Sequence, residues 1–400
     1  MGEGRGLRHP AAHVFDFTPQ TLRAWWREKG LSGGGYRADQ VLEWVYRKGV
    51  IDPGLMSNLG ARDREALQRE MTFLSGETLA HQRASDGTQK LLIEWSAPRA
   101  ADSAAAAGDD ALPARAGLTV LGNGTGASKG YQTETVMIPT DDRRTACVSS
   151  QVGCPVGCRF CASGVGGLDG SLSAGRIVEQ VWRLGRLEGV GRISNVVFMG
   201  MGEPLSNFAN VMRAVRTMSA EWGLGISARK ITISTVGLPK AIERLAEEME
   251  LPITLALSLH APNDEIRRKL IPWAEFTTVE ELLGACAAWF RKTGREITLE
   301  YTLLRGVNDR EEHARELAEV VWRMHKEAGG RANVNLIRYN EVGGMPYERP
   351  ATEDVRRFQE VLRGKGINAH IRASRGRDIA AACGQLRHET VKAPPEGSRA

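Results

Sequence analysis

The chain has 400 residues, 42% hydrophobic and 25% charged, a globular composition that excludes a disordered or fibrous protein and is long enough for two or three domains. No apolar run reaches about 18 residues, which excludes a transmembrane helix, and 53 Lys+Arg against 48 Asp+Glu permits a nucleic-acid partner without demanding one. Six cysteines behind an N-terminus, "MGEGRGLRHPAAHVFDF", that lacks a signal-peptide h-region predict reduced thiols and a cytoplasmic location.

Residues 18–70 read as short helices, "TPQTLRAWWREKG", "YRADQVLEWVYRKGV" and "DPGLMSNLGARDREAL", with Val41, Leu42 and Val45 at helical spacing. "LAHQRASDGTQKLLIEW" reads as a hairpin turning at Asp86-Gly87. From 96 to 130 the chain is Ala/Gly-rich and free of large aromatic clusters, as in a linker or surface insertion. A strand-like "TETVMIP" then opens a regular alternation. The strands "NVVFMG", "KITIST", "PITLALSL", "REITLEYTLL", "NVNLIRY" and "INAHIRA" are separated by amphipathic helical segments. Nearly continuous apolar strands with helical crossovers predict a parallel sheet covered on both faces. About six units are too few for a closed eight-fold barrel, so a partial barrel or open sheet is expected. The resulting expectation is an N-terminal helical accessory domain (1–95), the insertion (96–130), a catalytic α/β domain (131–387) and a tail (388–400).

The unusual residues follow strands. They are the cysteine loop "CVSSQVGCPVGCRFCASGVGG", "GMGEP", "STVG", "SLHAPND" and "GVND". Strand carboxyl ends in a parallel βα sheet face one common site, so five such motifs predict one pocket. Cys154, Cys158 and Cys161 are spaced C-x3-C-x2-C, with Cys147 seven residues upstream. Closely spaced cysteines of this kind hold iron–sulfur clusters, and three ligands leave one iron open. A structural zinc site that adds Cys147 is the plain alternative. A redox pair of Cys158 and Cys161 leaves Cys154 unexplained.

With Phe160 before the last cysteine, the spacing resembles the cluster motif of radical S-adenosylmethionine (SAM) enzymes, which implies that superfamily's partial (βα)6 barrel. "TACVSSQVGCPVGCRFCASG", "VVFMGMGEPL", "ITISTVGLP", "LALSLHAPND", "EYTLLRGVND", "VNLIRYN" and "DIAAACGQLR" together resemble the RlmN/Cfr family of adenine methyltransferases acting on large-subunit ribosomal RNA. The segment ending "QVLEWVYRKGVIDPGLMSNL" resembles the RlmN accessory domain. The resemblance implies a four-iron–four-sulfur (4Fe-4S) cluster on Cys154, Cys158 and Cys161, with SAM chelating the open iron. Gly202 and Glu203 would meet the cofactor. Ser234, Ser258, Leu259, His260 and Asn308 would line the rest of its pocket. Cys383 matches the methyl carrier, Cys147 its disulfide partner and Glu134 the general base.

Each residue also has a plain reading. Glu134 could be a solvated strand carboxylate, and Gly202 could serve a tight turn. The serines could cap local backbone, His260 could be structural, and Asn308 could cap a helix. Cys286, on an apolar helix face, reads as core packing.

The family chemistry follows from the electron-poor C2 of adenine, which cannot attack a methyl sulfonium. One SAM methylates a thiol by displacement. A second, cleaved with an electron from an external donor such as flavodoxin or ferredoxin, activates that S-methyl group for addition to the ring. Glu134 would remove the C2 proton, and Cys147 would release the base by forming a disulfide with Cys383. The expected substrates are 23S rRNA and transfer RNA, acted on by a monomer with no membrane contact. The rival readings are a Cfr-like adenine-C8 methyltransferase and a non-catalytic, metal-stabilised RNA-binding protein. Base chemistry needs an unstacked nucleotide. The basic residues available are Arg143, Arg144, Arg159, Arg229, Lys230, Arg267, Arg268, Lys269, Arg372, Arg375 and Arg377. Trp25, Trp26, Arg27, Arg37, Tyr46, Arg47 and Lys48 would let the N-terminal helices grip folded RNA, with plain packing the equal alternative for the tryptophans.

Overall fold

The computed structural model describes residues 12–95, 131–326 and 329–386; the insertion and the tail lie outside the described residues. Three helices open the chain: α1 (Pro19–Glu28), α2 (Gly34–Glu43) and α3 (Ala61–Glu70). Helix α1 starts on a reciprocal cap, with Thr18 Oγ1 accepting from the Thr21 amide at 3.2 Å and Thr21 Oγ1 accepting from the Thr18 amide at 2.9 Å. Helix α2 runs into a π turn that Gly49 closes at φ 72°.

The hairpin follows as β1 (Gly76–Arg83) and β2 (Gln89–Trp95), with β3 (Tyr131–Pro139) and β4 (Arg144–Cys147) next. One ten-stranded sheet runs in the order β1-β2-β3-β4-β7-β8-β9-β10-β11-β12. Its later strands are β7 (Asn195–Phe198), β8 (Ile231–Thr235), β9 (Thr254–Ser258), β10 (Ile297–Leu303), β11 (Ala332–Arg338) and β12 (Ala369–Arg372). Strands β4 and β7 to β12 are mutually parallel. Between them lie α4 (Ala174–Leu184), α5 (Phe208–Ser219), α6 (Pro239–Glu248), the short α7 (Asp264–Leu270), α8 (Val279–Thr293), α9 (Glu311–Lys326) and α10 (Thr352–Gly364). The sheet is open, with β1 and β12 at its ends, as a partial (βα)6 barrel requires.

Two expectations change. "TETVMIP" is not the first parallel strand: β3 pairs antiparallel with β4 at Val136↔Cys147, because a tight turn closed by the Thr140 amide on the Arg143 carbonyl (2.8 Å) reverses the chain. The parallel series therefore begins at β4. The hairpin assigned with the N-terminal helices instead pairs with β3 through seven registered residue pairs and extends the catalytic sheet. Among the described residues no helix is long and apolar enough to cross a membrane.

The N-terminal helices dock on the outer face of α4, which explains why nearly all of α4 is buried. Trp182 Nε1 donates to the Val45 carbonyl at 2.9 Å, and Phe15 packs against Trp182 with ring centroids 5.9 Å apart. At the centre His13 sits with Nε2 3.0 Å from Glu179 Oε2 and Nδ1 3.6 Å from Asp16 Oδ2. Glu179 also accepts from the Ser75 and Gly76 amides and from Arg183. Gly175 permits this approach, since a Cβ there would lie 2.6 Å from His13 Nδ1. Burial disfavours the imidazolium, but the hydrogen bonds and charges of Asp16 and Glu179 outweigh it and raise His13 above 6.5. Glu179, despite its own burial, is held down to about 2 by His13 and Arg183.

The sign follows from linkage. The His13 contribution is complete below pH 6.5 and is lost as pH rises through the raised folded value. Hydrogen-exchange protection of residues 12–72 should therefore fall as pH rises above neutrality. His13→Gln should flatten that dependence and cost about 1–3 kcal/mol at pH 6 in denaturant unfolding. An unchanged pH profile in the variant would locate the dependence elsewhere.

Candidate active site

One cavity opens at the carboxyl ends of the parallel strands. The cysteine loop forms one wall and is tied down at its base by a small hairpin, β5 (Gln151–Gly153) with β6 (Leu168–Ser171). Gly153 must be glycine, because a Cβ there would lie 2.0 Å from the Gly167 carbonyl oxygen. Cys154, Cys158 and Cys161 all line the cavity. Burial pushes the Cys154 thiol up to about 12 and Cys158 well above its ordinary value, with the neighbouring sulfurs raising both further. Burial also raises Cys161. Three mutually opposed thiols in one cavity become thiolates only beside a positive charge, which an iron cluster supplies. Backbone amides of Val156 and Gly202 aim at Cys154, and those of Ser163 and Gly164 at Cys161, as donors that favour thiolate sulfur. Among the described residues no three ligand-type side chains converge closely enough to hold a single metal ion. Cysteines on separate irons of a cluster stand further apart than that. The residues fit a 4Fe-4S cluster.

"GMGEP" forms the next wall. Its backbone runs against the strand leading into the cysteine loop, with Gly200 N donating to the Val148 carbonyl at 3.1 Å. Gly202 has φ 102°, and a Cβ on it would lie 2.6 Å from Gln151 Cβ. Glu203 is buried and accepts from Leu205 N at 3.0 Å and Val236 N at 2.8 Å. Even so, burial raises it to about 7. A buried carboxylate lifted in this way fits an ammonium ligand such as the amino group of SAM. Ser234 and Ser258 meet across β8 and β9 with hydroxyls 3.3 Å apart, both on the cavity. His260 lines it too, at φ 59°, with Nδ1 accepting from Thr302 N at 3.0 Å and its ring edge-on to Phe160. Burial, aided by Arg267, lowers His260 to about 3, so it stays neutral.

Leu259 and Asn308 are not on the cavity wall. The Leu259 side chain is core, and its carbonyl accepts from Arg267 Nε at 3.2 Å. Asn308 spends both ends of its amide on backbone. Nδ2 donates to the His260 and Thr302 carbonyls, and Oδ1 accepts from Leu304 N. It shapes the wall from behind by holding His260 in its left-handed conformation.

Of the two outlying thiols Cys383 lines the far side of the cavity, whereas Cys147, like Glu134, is not on its wall but lies near enough for Cys383 to influence its charge. Cys147 packs with Val136, Met201, Ala381 and Leu386. The segment carrying Cys383 folds back onto the cysteine loop through Ala162 N to the Gly384 carbonyl (2.8 Å) and Ser163 Oγ to the Leu386 carbonyl (2.8 Å). Cys383 is accessible, but its accessible surface opens into the cavity. All six cysteines are free thiols. Burial raises both thiols, Cys147 to about 12, and each is opposed by the Arg372 guanidinium. Period-two alternation and the Val136↔Cys147 pairing put Glu134 on the same sheet face as Cys147. Its carboxylate is 2.7 Å from Lys90 Nζ.

Reading the sequence did not single out Glu300, Asn335 or Lys90. Glu300 lines the cavity, takes a hydrogen bond from Asn335 Nδ2 at 2.9 Å and lies 3.9 Å from Arg372. A glutamate at an inward position of an apolar strand was the available signal. Several expected RNA contacts are corrected. Arg267 is wholly buried, with Nη2 donating to the Val236 carbonyl at 2.6 Å beside Cys158, and Arg372 faces the thiols. Trp26 and Tyr46 are core residues, and Arg47 bonds the Glu221 carbonyl. Arg27, Lys48, Arg159, Arg229, Lys230, Arg268, Lys269, Arg375 and Arg377 are exposed.

Residues 148–318 match the radical SAM superfamily, and residues 12–72 match the ribosomal RNA large subunit methyltransferase N-terminal domain. The chain is 38% identical to a "probable dual-specificity RNA methyltransferase RlmN" of Rhodopirellula baltica, over 94% of this chain and 90% of that protein. It is 44% identical to the protein of the same description in Symbiobacterium thermophilum, over 89% and 86%. A crystal structure of a radical SAM methyltransferase from Sphaerobacter thermophilus superposes with a TM-score of 0.81 at 37% identity, covering 94% of this chain and all of that one.

The Gly202 geometry has a measurable consequence. Gly202→Ala should cost about 1–3 kcal/mol in unfolding and lower the iron bound per chain on reconstitution. Gly284→Ala, where a Cβ meets nothing within 4 Å on helix α8, should be neutral or stabilising by about 0.5–1 kcal/mol. Equal effects at both positions would refute the packing argument.

Proposed function

This chain belongs to the RlmN family of radical SAM RNA methyltransferases, and from that premise we propose that it methylates C2 of an adenine in 23S ribosomal RNA and of an adenine in transfer RNA. The observation that carries this reading is that Cys147, Cys383 and Arg372 lie close enough to act on one another's charge, with Cys147 on the sheet face that also bears Glu134. A plain displacement methyltransferase needs no such pair of thiols. Glu134, Cys147 and Cys383 also lie outside the stretch matching the radical SAM superfamily at large, as residues of a specialised step would.

Cys154, Cys158 and Cys161 would hold the cluster, and Glu203, Gly202, Ser234, Ser258 and His260 would line the SAM site. Cluster and cofactor, with an external electron donor such as flavodoxin or ferredoxin, supply the methyl group from one SAM and the hydrogen-abstracting radical from a second.

The chain's own residues do the rest. The Cys383 sulfur receives the methyl group as a thiolate, a form the Arg372 guanidinium favours against the cost of burial. Its carbon then bridges Cys383 and C2 of the adenine. Glu134 takes the C2 proton on a carboxylate oxygen, and the unpaired electron left on the ring by the hydrogen abstraction would return to the cluster. The Cys147 thiolate attacks the Cys383 sulfur, and a sulfur–sulfur bond forms. The electron pair of the broken carbon–sulfur bond goes to the methyl carbon, which takes a proton, and the methylated base leaves. A thiol reductant resets the disulfide, which suits the cytoplasm. Preference for C2 over C8 is supported by the N-terminal match at residues 12–72.

Cys147→Ala should keep its iron and accumulate a covalent protein–RNA adduct, detected as an RNA-bearing band that survives denaturation. Cys154→Ala should lose iron and form no adduct. Loss of iron from Cys147→Ala would make Cys147 a cluster ligand and overturn the assignment. In a strain lacking the gene, mass spectrometry of ribosomal and transfer RNA nucleosides should show 2-methyladenosine missing. Loss of 8-methyladenosine instead would reassign the position.

A further inference from the structure

Lys90 is a buried charge for which the fold alone has no use. It stands on β2 opposite Val136, just before the apolar Leu91, Leu92 and Ile93, at a buried position where leucine or methionine would pack without desolvating an ammonium. Its side chain is 8% exposed and that of Glu134 is 11% exposed, with Nζ 2.7 Å from Glu134 Oε1. Its second partner is the Ala380 carbonyl, 3.2 Å away. Ala380 has φ 49°, left-handed for a residue with a Cβ, and lies three residues before Cys383. The same hairpin holds this segment at two more points, Gly376 N to Asp86 Oδ2 (3.0 Å) and Ser85 N to Asp378 Oδ2 (2.9 Å). Those two bonds anchor the segment. Only the Lys90 bond also reaches Glu134.

We infer that Lys90 is a positioning residue that holds Glu134 by an ion pair and sets its place relative to the loop carrying Cys383. The ion pair orients the Glu134 carboxylate. The ammonium's bond to Ala380 fixes the base and the methyl-carrying loop to one atom. When Glu134 takes the C2 proton its charge is neutralised, while Lys90 keeps its own protons. Lys90 therefore acts through Glu134 and touches no reacting atom. The inference rests on reading Glu134 as the base.

The test uses full-length, cluster-reconstituted enzyme and separates the step that needs the base from the step that does not. Lys90→Met should retain iron and S-methylation of Cys383, measured by intact-protein mass spectrometry. Its turnover should fall by at least about tenfold, with covalent enzyme–RNA adduct accumulating. Lys90→Arg should recover most of the rate, and Glu134→Gln should reproduce the adduct. If Lys90→Met does not load its cluster, Lys90→Gln keeps a donor for Ala380 without the charge and carries the same expectation. Loss of Cys383 methylation in step with turnover in both variants would make Lys90 structural and overturn the inference. Adduct from Glu134→Gln but not from Lys90→Met or Lys90→Gln would also overturn it and leave the base assignment standing. No adduct from Glu134→Gln would remove the base assignment itself.

Discussion

The site depends on how the last described stretch, residues 376–386, is held. One end is clamped by the β1–β2 hairpin through Asp86, Ser85 and Lys90. The other is clamped by the cysteine loop through Ala162 and Ser163. Between the clamps Cys383 faces the cavity. Ala381 and Leu386 between and beside these clamps bury apolar surface against Cys147, Val136 and Met201, while the directional hydrogen bonds set the segment's position. Such bonds fix a position to a fraction of an ångström, which thiol chemistry between two residues far apart in sequence requires. The hairpin that extends the sheet therefore helps to place the segment carrying Cys383.

Buried charge recurs throughout the molecule and is paired in different ways. His13 between Asp16 and Glu179 is closed on all sides and serves docking. Lys90 with Glu134, and Arg372 with Glu300, lie on the side of the site that carries Cys147 and Cys383. Glu203 and the cysteines Cys154, Cys158 and Cys161 have, among the described residues, no cationic side chain that offsets their burial fully, and all are raised. Charges complete in themselves hold the fold, whereas charges left incomplete mark where cluster and cofactor belong.

Much of the site was legible in the sequence because its signals are local. The C-x3-C-x2-C spacing, the glycines of "GMGEP" and the strand-end serines each do their work within a few residues. The alternation of apolar strands and amphipathic helices was enough to bring them to one end of a sheet. Pairing was harder to read. "TETVMIP" carries the same apolar pattern whether its neighbour is parallel or antiparallel, and a four-residue turn decided between them. Asn308 looked like a pocket residue from its motif, yet its side-chain amide bonds only backbone groups. Arg267 and Trp26 looked like RNA contacts from their type, yet both are buried.

What the sequence by itself determined was the chemistry: three cysteines for a cluster, two further thiols, a carboxylate upstream, and the order of the motifs that carry them. These follow from residue type and short-range spacing, which the covalent chain preserves. What only the tertiary structure decided was partnership. Cys147 lies near Cys383, Lys90 holds Glu134, and Arg372 turns inward to the thiols instead of outward to RNA. Each of these joins segments tens to hundreds of residues apart, and their separation in space is set by sheet register and loop closure, which no local pattern encodes.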